Sequence, residues 1–254
     1  MKAKPSPLLS RLGVLLFWVG LWYALSLLVG RELLLPSPLQ TLRALGELAL
    51  TAEFWLTVGR SLLRVLSGIL AATVLGVGLA VLTESSALAK ALLSPLMTLV
   101  KNTPVASFII LALIWLGRDI LPVFIAGLMV LPVVWANVSA GIAGQDAGLL
   151  EMARVFGLSR ARILRRVTLP SVLPHFRAAL RSALGLGWKA GIAAEVLTVP
   201  QRSIGRMIYE SKLYLETTSL FAWTLAVVVI SLLIERLVLR LVSLTERKGG
   251  AADA

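Results

Sequence analysis

The chain has 254 residues, of which 58% are hydrophobic and 15% are charged, and its mean hydropathy is +0.89. Soluble domains keep about a quarter of their residues charged, so this composition excludes a soluble protein and predicts one all-α membrane domain, residues 1–254. A net charge of +12 would suggest nucleic acid in a soluble chain, but six of the 18 arginines lie in one loop between apolar runs. Membrane topology accounts for this charge, and no nucleic-acid partner is expected.

Six segments approach the roughly 20 apolar residues that a helix needs to cross a bilayer. They lie near residues 8–29, 56–82, 92–116, 121–142, 178–199 and 220–241. Lys2 and Lys4 precede the first segment, but its apolar run is too long for a signal peptide, so we expect it to remain as a span. In the second segment, Gly68, Gly76 and Gly78 fall on neighbouring helical turns and predict the close approach of another helix.

Basic residues are concentrated on one side of this topology, the side that holds both termini. They are Lys2, Lys4, Arg11, Lys90, Arg154, Arg160, Arg162, Arg165, Arg166, Arg177, Arg240, Arg247 and Lys248. The opposite loops mix bases with acids, so the positive-inside rule places both termini in the cytoplasm. On the outer side, leucines at near-helical spacing between Pro38 and Phe54 predict a short amphipathic helix at the membrane surface.

A basic loop occupies about residues 143–177 on the cytoplasmic side, in contact with the lipid bilayer. At residues 151–170 it reads EMARVFGLSRARILRRVTLP. A loop that only sets membrane topology needs arginines but no fixed pattern of other residues. Helix-breaking residues at defined positions therefore indicate a folded segment rather than a simple connection.

Gly157 divides this segment into two pieces of helical length. Ser159 is suited to cap the second piece, and the Leu-Pro pair at residues 169–170 is expected to end it. We predict helices over about residues 145–156 and 159–167, with a left-handed or bent position at the glycine. Together they would form a rigid hairpin that projects from the membrane and enters a groove in a partner.

The order Glu151, Ala153 and Gly157, followed by the sequence VTLP, resembles the EAA loop of permease subunits of bacterial ABC importers. Met152 and Val167 depart from the commoner alanine and isoleucine but keep the apolar character. The resemblance covers most of the chain, including LPSP at 35–38, SLLRVLSG at 61–68, KNTPVA at 101–106, WKAGIAAEVL at 188–197 and SIG at 203–205. These segments look like the subgroup that imports nitrate, sulfonates, taurine and related small solutes.

The resemblance implies a bacterial inner-membrane permease of six helices that works as a pair of copies. Two cytoplasmic ATPase subunits and an external binding protein that delivers the solute are the implied partners. The chain has no GxxxxGK[ST] phosphate loop, so ATP and Mg are expected on the partner ATPase, with no cofactor and no enzymatic activity in this chain. Without cysteine and with one histidine, no zinc site is expected either.

The expected solute is a small anion such as a sulfonate, taurine or nitrate. A heterocyclic vitamin precursor is the alternative, since similar permeases serve such solutes. An ion-coupled secondary transporter is an alternative of a different class; it would predict inverted repeats with buried acidic ion sites, and no convincing repeat is visible in this sequence.

Docking to the ATPase and coupling are assigned to the loop residues Glu151, Ala153, Arg154, Phe156, Gly157, Leu158, Ile163, Leu169 and Pro170. Glu151 would cap or anchor the hairpin through hydrogen bonds, Ala153 would allow close contact, and Gly157 would form the bend. The larger apolar side chains would pack into a groove of the ATPase. Closure of the ATPase subunits would move the hairpin as a lever and alternate access to a central path.

Ionisable residues at membrane depth are costly unless they face protein or water. Candidates for lining the path are Lys101, Asn102, Pro104, Trp188, Lys189 and Glu195. Lys189 and Glu195 lie about 120° apart around a helix, so each is expected to find a partner elsewhere. Snorkelling or structural pairing between helices is the alternative role for these residues. Arg60 and Arg64 are interpreted as interfacial anchors or structural pairs, and His175 as a surface or capping residue.

Overall fold

In the computed structural model, the backbone of residues 7–250 and the side chains of residues 12–238 and 240 are described. Lys2, Lys4 and the side chains of Arg11, Arg247 and Lys248, which count toward the predicted cytoplasmic charge, lie outside these residues. The described backbone forms helices and no strands. The helices are α1 Pro7–Val29, α2 Pro38–Ala49, α3 Ala52–Ser85, α4 Ala87–Asn102, α5 Val105–Ala112, α6 Leu121–Ala143, α7 Ala147–Val155, α8 Arg160–Ile163, a π-helical turn Leu164–Thr168, α9 Leu169–Thr198, α10 Ile204–Leu213 and α11 Thr217–Gly250.

Four described helices, α1, α3, α6 and α11, are long and apolar enough to cross a membrane. The pair α4 and α5 passes the same test together and would make a fifth span. The remaining predicted segment, residues 178–199, lies in α9, a helix of 30 residues whose hydropathy is lowered by Lys189 and Glu195. The all-α membrane bundle is confirmed, with four to five apolar spans where the sequence predicted six.

The third predicted span, residues 92–116, is divided between two helices. Helices α4 and α5 meet at an angle of 102°. Thr103 between them is extended, with φ −81° and ψ 134°, because the ring of the following Pro104 disfavours helical geometry in the residue before it. Lys101 and Asn102 therefore lie at the end of α4, beside a sharp bend.

Helix α6 packs along both α3 and α9, and small residues set how closely these helices approach. A Cβ atom at Gly68 would collide with the backbone of Val123, and one at Gly76 would lie 3.0 Å from the side chain of Val134. Gly78 faces open space, so close packing is confirmed at Gly68 and Gly76 and wrong at Gly78. Because lipid is as apolar as the bundle interior, such close contact stabilises membrane helices more than the burial of apolar surface does.

The predicted amphipathic helix is confirmed as α2. It begins at a capping box, in which the Gln40 N–H donates to the Ser37 hydroxyl and the Ser37 N–H donates to the Gln40 side chain. The indole of Trp22 in α1 donates to the carbonyl of Pro36 over 3.1 Å, which ties α1 to the start of α2. The side chains of residues 12–29 of α1 are largely exposed, as expected of a helix that faces lipid.

The two ends of the bundle carry different features. Helix α6 has 23 residues and extends about 35 Å. Residues 144–168, here called the hairpin, leave and return at one end. At the other end, the guanidinium of Arg64 in α3 bonds to Asp119 before α6 and to the carbonyl of Gln201 after α9. The loops before α6 and after α9 are therefore held together, far from the hairpin.

Candidate functional site

The backbone of the hairpin follows the predicted pattern of a helix and a glycine bend. The carboxylate of Asp146 caps α7 by accepting from the N–H groups of Gly148 and Leu149, at 2.8 and 3.2 Å. Gly157 has φ +66°, a left-handed conformation that is costly for other residues. The N–H of Leu158 then donates to the carbonyl of Ala153, which completes the common glycine termination of a helix. The bend predicted at Gly157 is confirmed.

The second half of the hairpin differs from the prediction in two respects. The side chain of Ser159 makes no capping hydrogen bond, although its backbone occupies the cap position. The pair at residues 169–170 does not end the helix. Pro170 lacks the N–H that would bond to the carbonyl of Arg166, and the chain avoids a break by forming a π-helical turn in which Leu169 N–H donates to the Leu164 carbonyl. Helical structure therefore continues from α8 into α9.

The tip of the hairpin exposes large apolar side chains. Val155 is 80% exposed and Phe156 77%, and Met152 is also exposed on the same helix. Leu158 and Ile163 are half-buried, and Ala153 is buried within the hairpin itself. An exposed apolar patch of this kind marks a contact surface for lipid or for another protein. Of the predicted groove-packing residues, Phe156 is thus the most available.

Charged side chains surround this apolar tip. Arg154, Arg160, Arg162, Arg165 and Arg166 are all exposed. The carboxylate of Glu151 is exposed and has no hydrogen-bond partner within the described part of this chain, so its anchoring role stays a prediction. At the base of the hairpin, the Thr168 hydroxyl donates to the side chain of Gln145 over 3.2 Å. This hydrogen bond joins the beginning of the hairpin to its end.

The structure separates the six path candidates into two groups. Trp188 is 2% exposed, and its indole donates to the carbonyl of Val227 over 3.2 Å; Glu195 is fully buried. Neither faces an open path in this chain, because both side chains point into contacts between helices. The other four, Lys101, Asn102, Pro104 and Lys189, are exposed and stay candidates.

Glu195 is the centre of a cluster that we call the brace, formed by Ser61, Arg64, Asp119, Glu195 and the residues at 201–205. Its Oε2 accepts from the Ser61 hydroxyl at 2.8 Å and from the Gly205 N–H at 3.2 Å, and Arg64 Nη1 lies 3.7 Å from Oε1. The Ser61 oxygen also accepts from the N–H of Ile204 at 2.9 Å.

The brace joins α3, α9 and the start of α10. Gly205 approaches Glu195 so closely that a Cβ atom on the glycine would overlap it. The expectation that Glu195 has a partner on another helix is confirmed, and so is a structural pair for Arg64. Sequence reasoning missed Ser61, although it lies in the SLLRVLSG segment, because a single serine in an apolar run carries no signal of its distant partner.

A profile of the family described as "binding-protein-dependent transport system inner membrane component" matches residues 65–247. The taurine transport system permease protein of Escherichia coli (strain K12) is 27% identical over 231 residues, covering 88% of this chain and 84% of that protein. A putative aliphatic sulfonates transport permease protein of the same organism is 30% identical over 185 residues, covering 72% and 70%.

A bicarbonate transport system permease protein of Synechococcus elongatus is 30% identical over 162 residues, which cover 62% of this chain and 57% of that protein. Among solved structures, the crystal structure of an amino acid ABC transporter with histidines matches with a TM-score of 0.58 and 19% identity. The match covers 76% of this chain and 94% of the solved chain, and at this identity it shows a shared fold.

Proposed function

Because the chain belongs to the family of binding-protein-dependent transport system inner membrane components, we propose that it is the permease subunit of an ABC importer for a small oxyanion. The observation that carries this proposal is the exposed apolar tip of the hairpin. Val155 and Phe156 follow the capped helix α7 and precede the left-handed Gly157, so their exposure is built into a folded element. The tip would dock on a cytoplasmic ATPase subunit, with the surrounding arginines meeting acidic groups there.

The proposed lever is longer than the hairpin alone. Helical structure continues through the π-turn into α9, so motion of the tip would pass directly into a helix that packs along α3 and α6. A helix end at residues 169–170 would have interrupted this connection. ATP-driven closure of the partner subunits would therefore tilt or rotate α9 and alternate access to the path.

The proposed complex contains two copies of this permease, two ATPase subunits and an external binding protein. ATP and Mg bind to the ATPase subunits, and this chain contributes no cofactor. Both termini and the hairpin lie in the cytoplasm in this arrangement, and the brace lies at the outer end. Lys101 and Lys189, exposed cations in the described chain, remain candidates for contact with the solute along the path.

The proposed solute class rests on what the relatives transport by name. Taurine and aliphatic sulfonates carry a sulfonate group, and bicarbonate is a small oxyanion. These names support an oxyanion rather than a heterocyclic vitamin precursor. The dependence on a binding protein that defines the family also favours primary transport over an ion-coupled carrier.

The function is tested by uptake into proteoliposomes that contain the permease and its ATPase, with the binding protein added outside. We expect uptake of labelled taurine, ethanesulfonate or bicarbonate that requires both ATP and the binding protein and stops with vanadate. Uptake of these anions driven by an ion gradient alone would contradict the proposal.

The orientation has a separate test, because the chain has no cysteine to interfere with labelling. Arg160→Cys places one thiol on the exposed hairpin, and Ile120→Cys places one at the opposite end, where Ile120 is 60% exposed. In intact cells, a membrane-impermeant maleimide should label the second variant and not the first. Labelling of the hairpin variant would place the hairpin outside the cell and refute docking to the ATPase.

A further inference from the structure

Beside the brace lies a cavity of about 380 Å³, here called the brace cavity. It is lined by Leu113, Arg118, Leu197, Thr198, Val199 and Tyr209. Its volume is in the range of sites that hold small molecules, roughly 300–1,000 Å³. It belongs to neither the hairpin nor the path candidates, and it lies at the end of the bundle that the proposed topology places outside the cell.

The cavity is lined by one cation, Arg118, that has no partner among the residues that the structure describes. Arg118 is exposed, and the described residues offer it no ion pair or hydrogen bond. The adjacent carboxylate, Asp119, is held by Arg64 at 2.7 Å. Arg64 in turn also donates to the Gln201 carbonyl at 2.9 Å, so this acid is part of the brace. The guanidinium of Arg118, which has no ion pair among the described residues, is suited to bind a planar or tetrahedral oxyanion through two hydrogen bonds.

The wall of the cavity is held in a strained conformation. Val199 adopts the left-handed region, with φ 49° and ψ 55°, which is an outlier for a β-branched residue. Its N–H donates to the carbonyl of Glu195 at 2.9 Å, and Glu195 is fixed by the brace. Arg202 is also left-handed, with φ 47°, and its carbonyl lies 3.4 Å from Arg64. Strained backbone that is held by its surroundings recurs at ligand sites, where it preorganises the contact.

We propose that the brace cavity binds the anionic group of the solute as it enters from the binding protein, with Arg118 as the cationic contact. The hydroxyl of Thr198 already donates to the Ala194 carbonyl at 2.8 Å, so Arg118 and the Tyr209 hydroxyl are the donors left for a ligand. Leu113 and Leu197 face the apolar part of the bound solute. The ligand that fits this cavity is a small organic sulfonate or carboxylate with a short apolar portion. This inference rests on the proposed function and assigns it a site.

The test measures binding of ethanesulfonate to the permease–ATPase complex in nanodiscs by isothermal titration calorimetry, without the binding protein. Arg118→Gln should weaken binding at least about tenfold, because it removes charged hydrogen bonds. Arg118→Lys should recover part of the affinity, since it restores the charge without the two-pronged contact. The matched control is Arg60→Gln, which removes an exposed arginine from α3, one helical turn before Arg64, outside the cavity lining.

Equal affinity of the Arg118→Gln variant and the unmodified complex would overturn the inference, as would no binding to an unmodified complex that transports anions. If the Arg118 variants fail to assemble, Tyr209→Phe tests the same site and should weaken binding several-fold. An unmodified complex that takes up no anion with ATP and binding protein would instead refute the proposed function. The two failures are therefore distinguishable.

Discussion

Replacement of Glu195 by alanine is expected to destabilise the chain by roughly 2–6 kcal/mol, because it removes the acceptor of two buried donors at the centre of the brace. Ser61 and the Gly205 N–H donate to this carboxylate at 2.8 and 3.2 Å in a fully buried site. Each buried donor left without an acceptor costs about 1–3 kcal/mol. Arg64 adds little to the loss, because it keeps Asp119 and a backbone carbonyl.

Tryptophan fluorescence during unfolding by SDS in mixed micelles would measure the free energy of unfolding. Glu195→Gln keeps an acceptor oxygen in the same place and should cost less than the alanine variant. The control Glu210→Ala removes a half-buried pair with Arg206 one helical turn away, 2.7 Å long, and should cost only about 0.3–0.5 kcal/mol.

A double-mutant cycle with Ser61→Ala separates the shared hydrogen bond from other effects. Because both substitutions remove the same contact, their costs should be non-additive by about 1 kcal/mol or more. A cost below about 1 kcal/mol for Glu195→Ala, or additivity within roughly 0.5 kcal/mol, would refute the reasoning.

Three further predictions concern the hairpin and the helix contacts. Gly157→Val forces a β-branched residue into the left-handed region at φ +66°, so membrane insertion should persist while uptake per ATP hydrolysed falls, as transport and ATPase assays on the same vesicles would show. Phe156→Asp places a charge on the apolar tip and should reduce co-purification of the ATPase at least about tenfold; unchanged co-purification would argue against docking there. Gly68→Ala overlaps the backbone of Val123 and should destabilise the bundle by about 1–3 kcal/mol in SDS unfolding, whereas Gly78→Ala, in open space, should be nearly neutral.

Two prolines affect the helices in different ways. Pro104 lies within the third predicted segment, and the break before it follows from the sequence, since the residue preceding a proline is driven out of helical geometry. At the pair at 169–170 the proline was wrongly interpreted as a helix end. A π-helical turn directly before it absorbs the missing hydrogen bond, and helical structure continues into α9.

The sequence by itself determined the membrane class, the positions of the apolar helices, the capped amphipathic helix α2 and the bend at Gly157. Each of these depends on hydropathy or on backbone preferences within a few residues, so it can be read along the chain. Only the tertiary structure decided that Glu195 meets Ser61 and Arg64, and that Arg118 is left facing a cavity. Those contacts join residues far apart in sequence, and their distances depend on how closely α3, α6 and α9 pack, which no local pattern encodes.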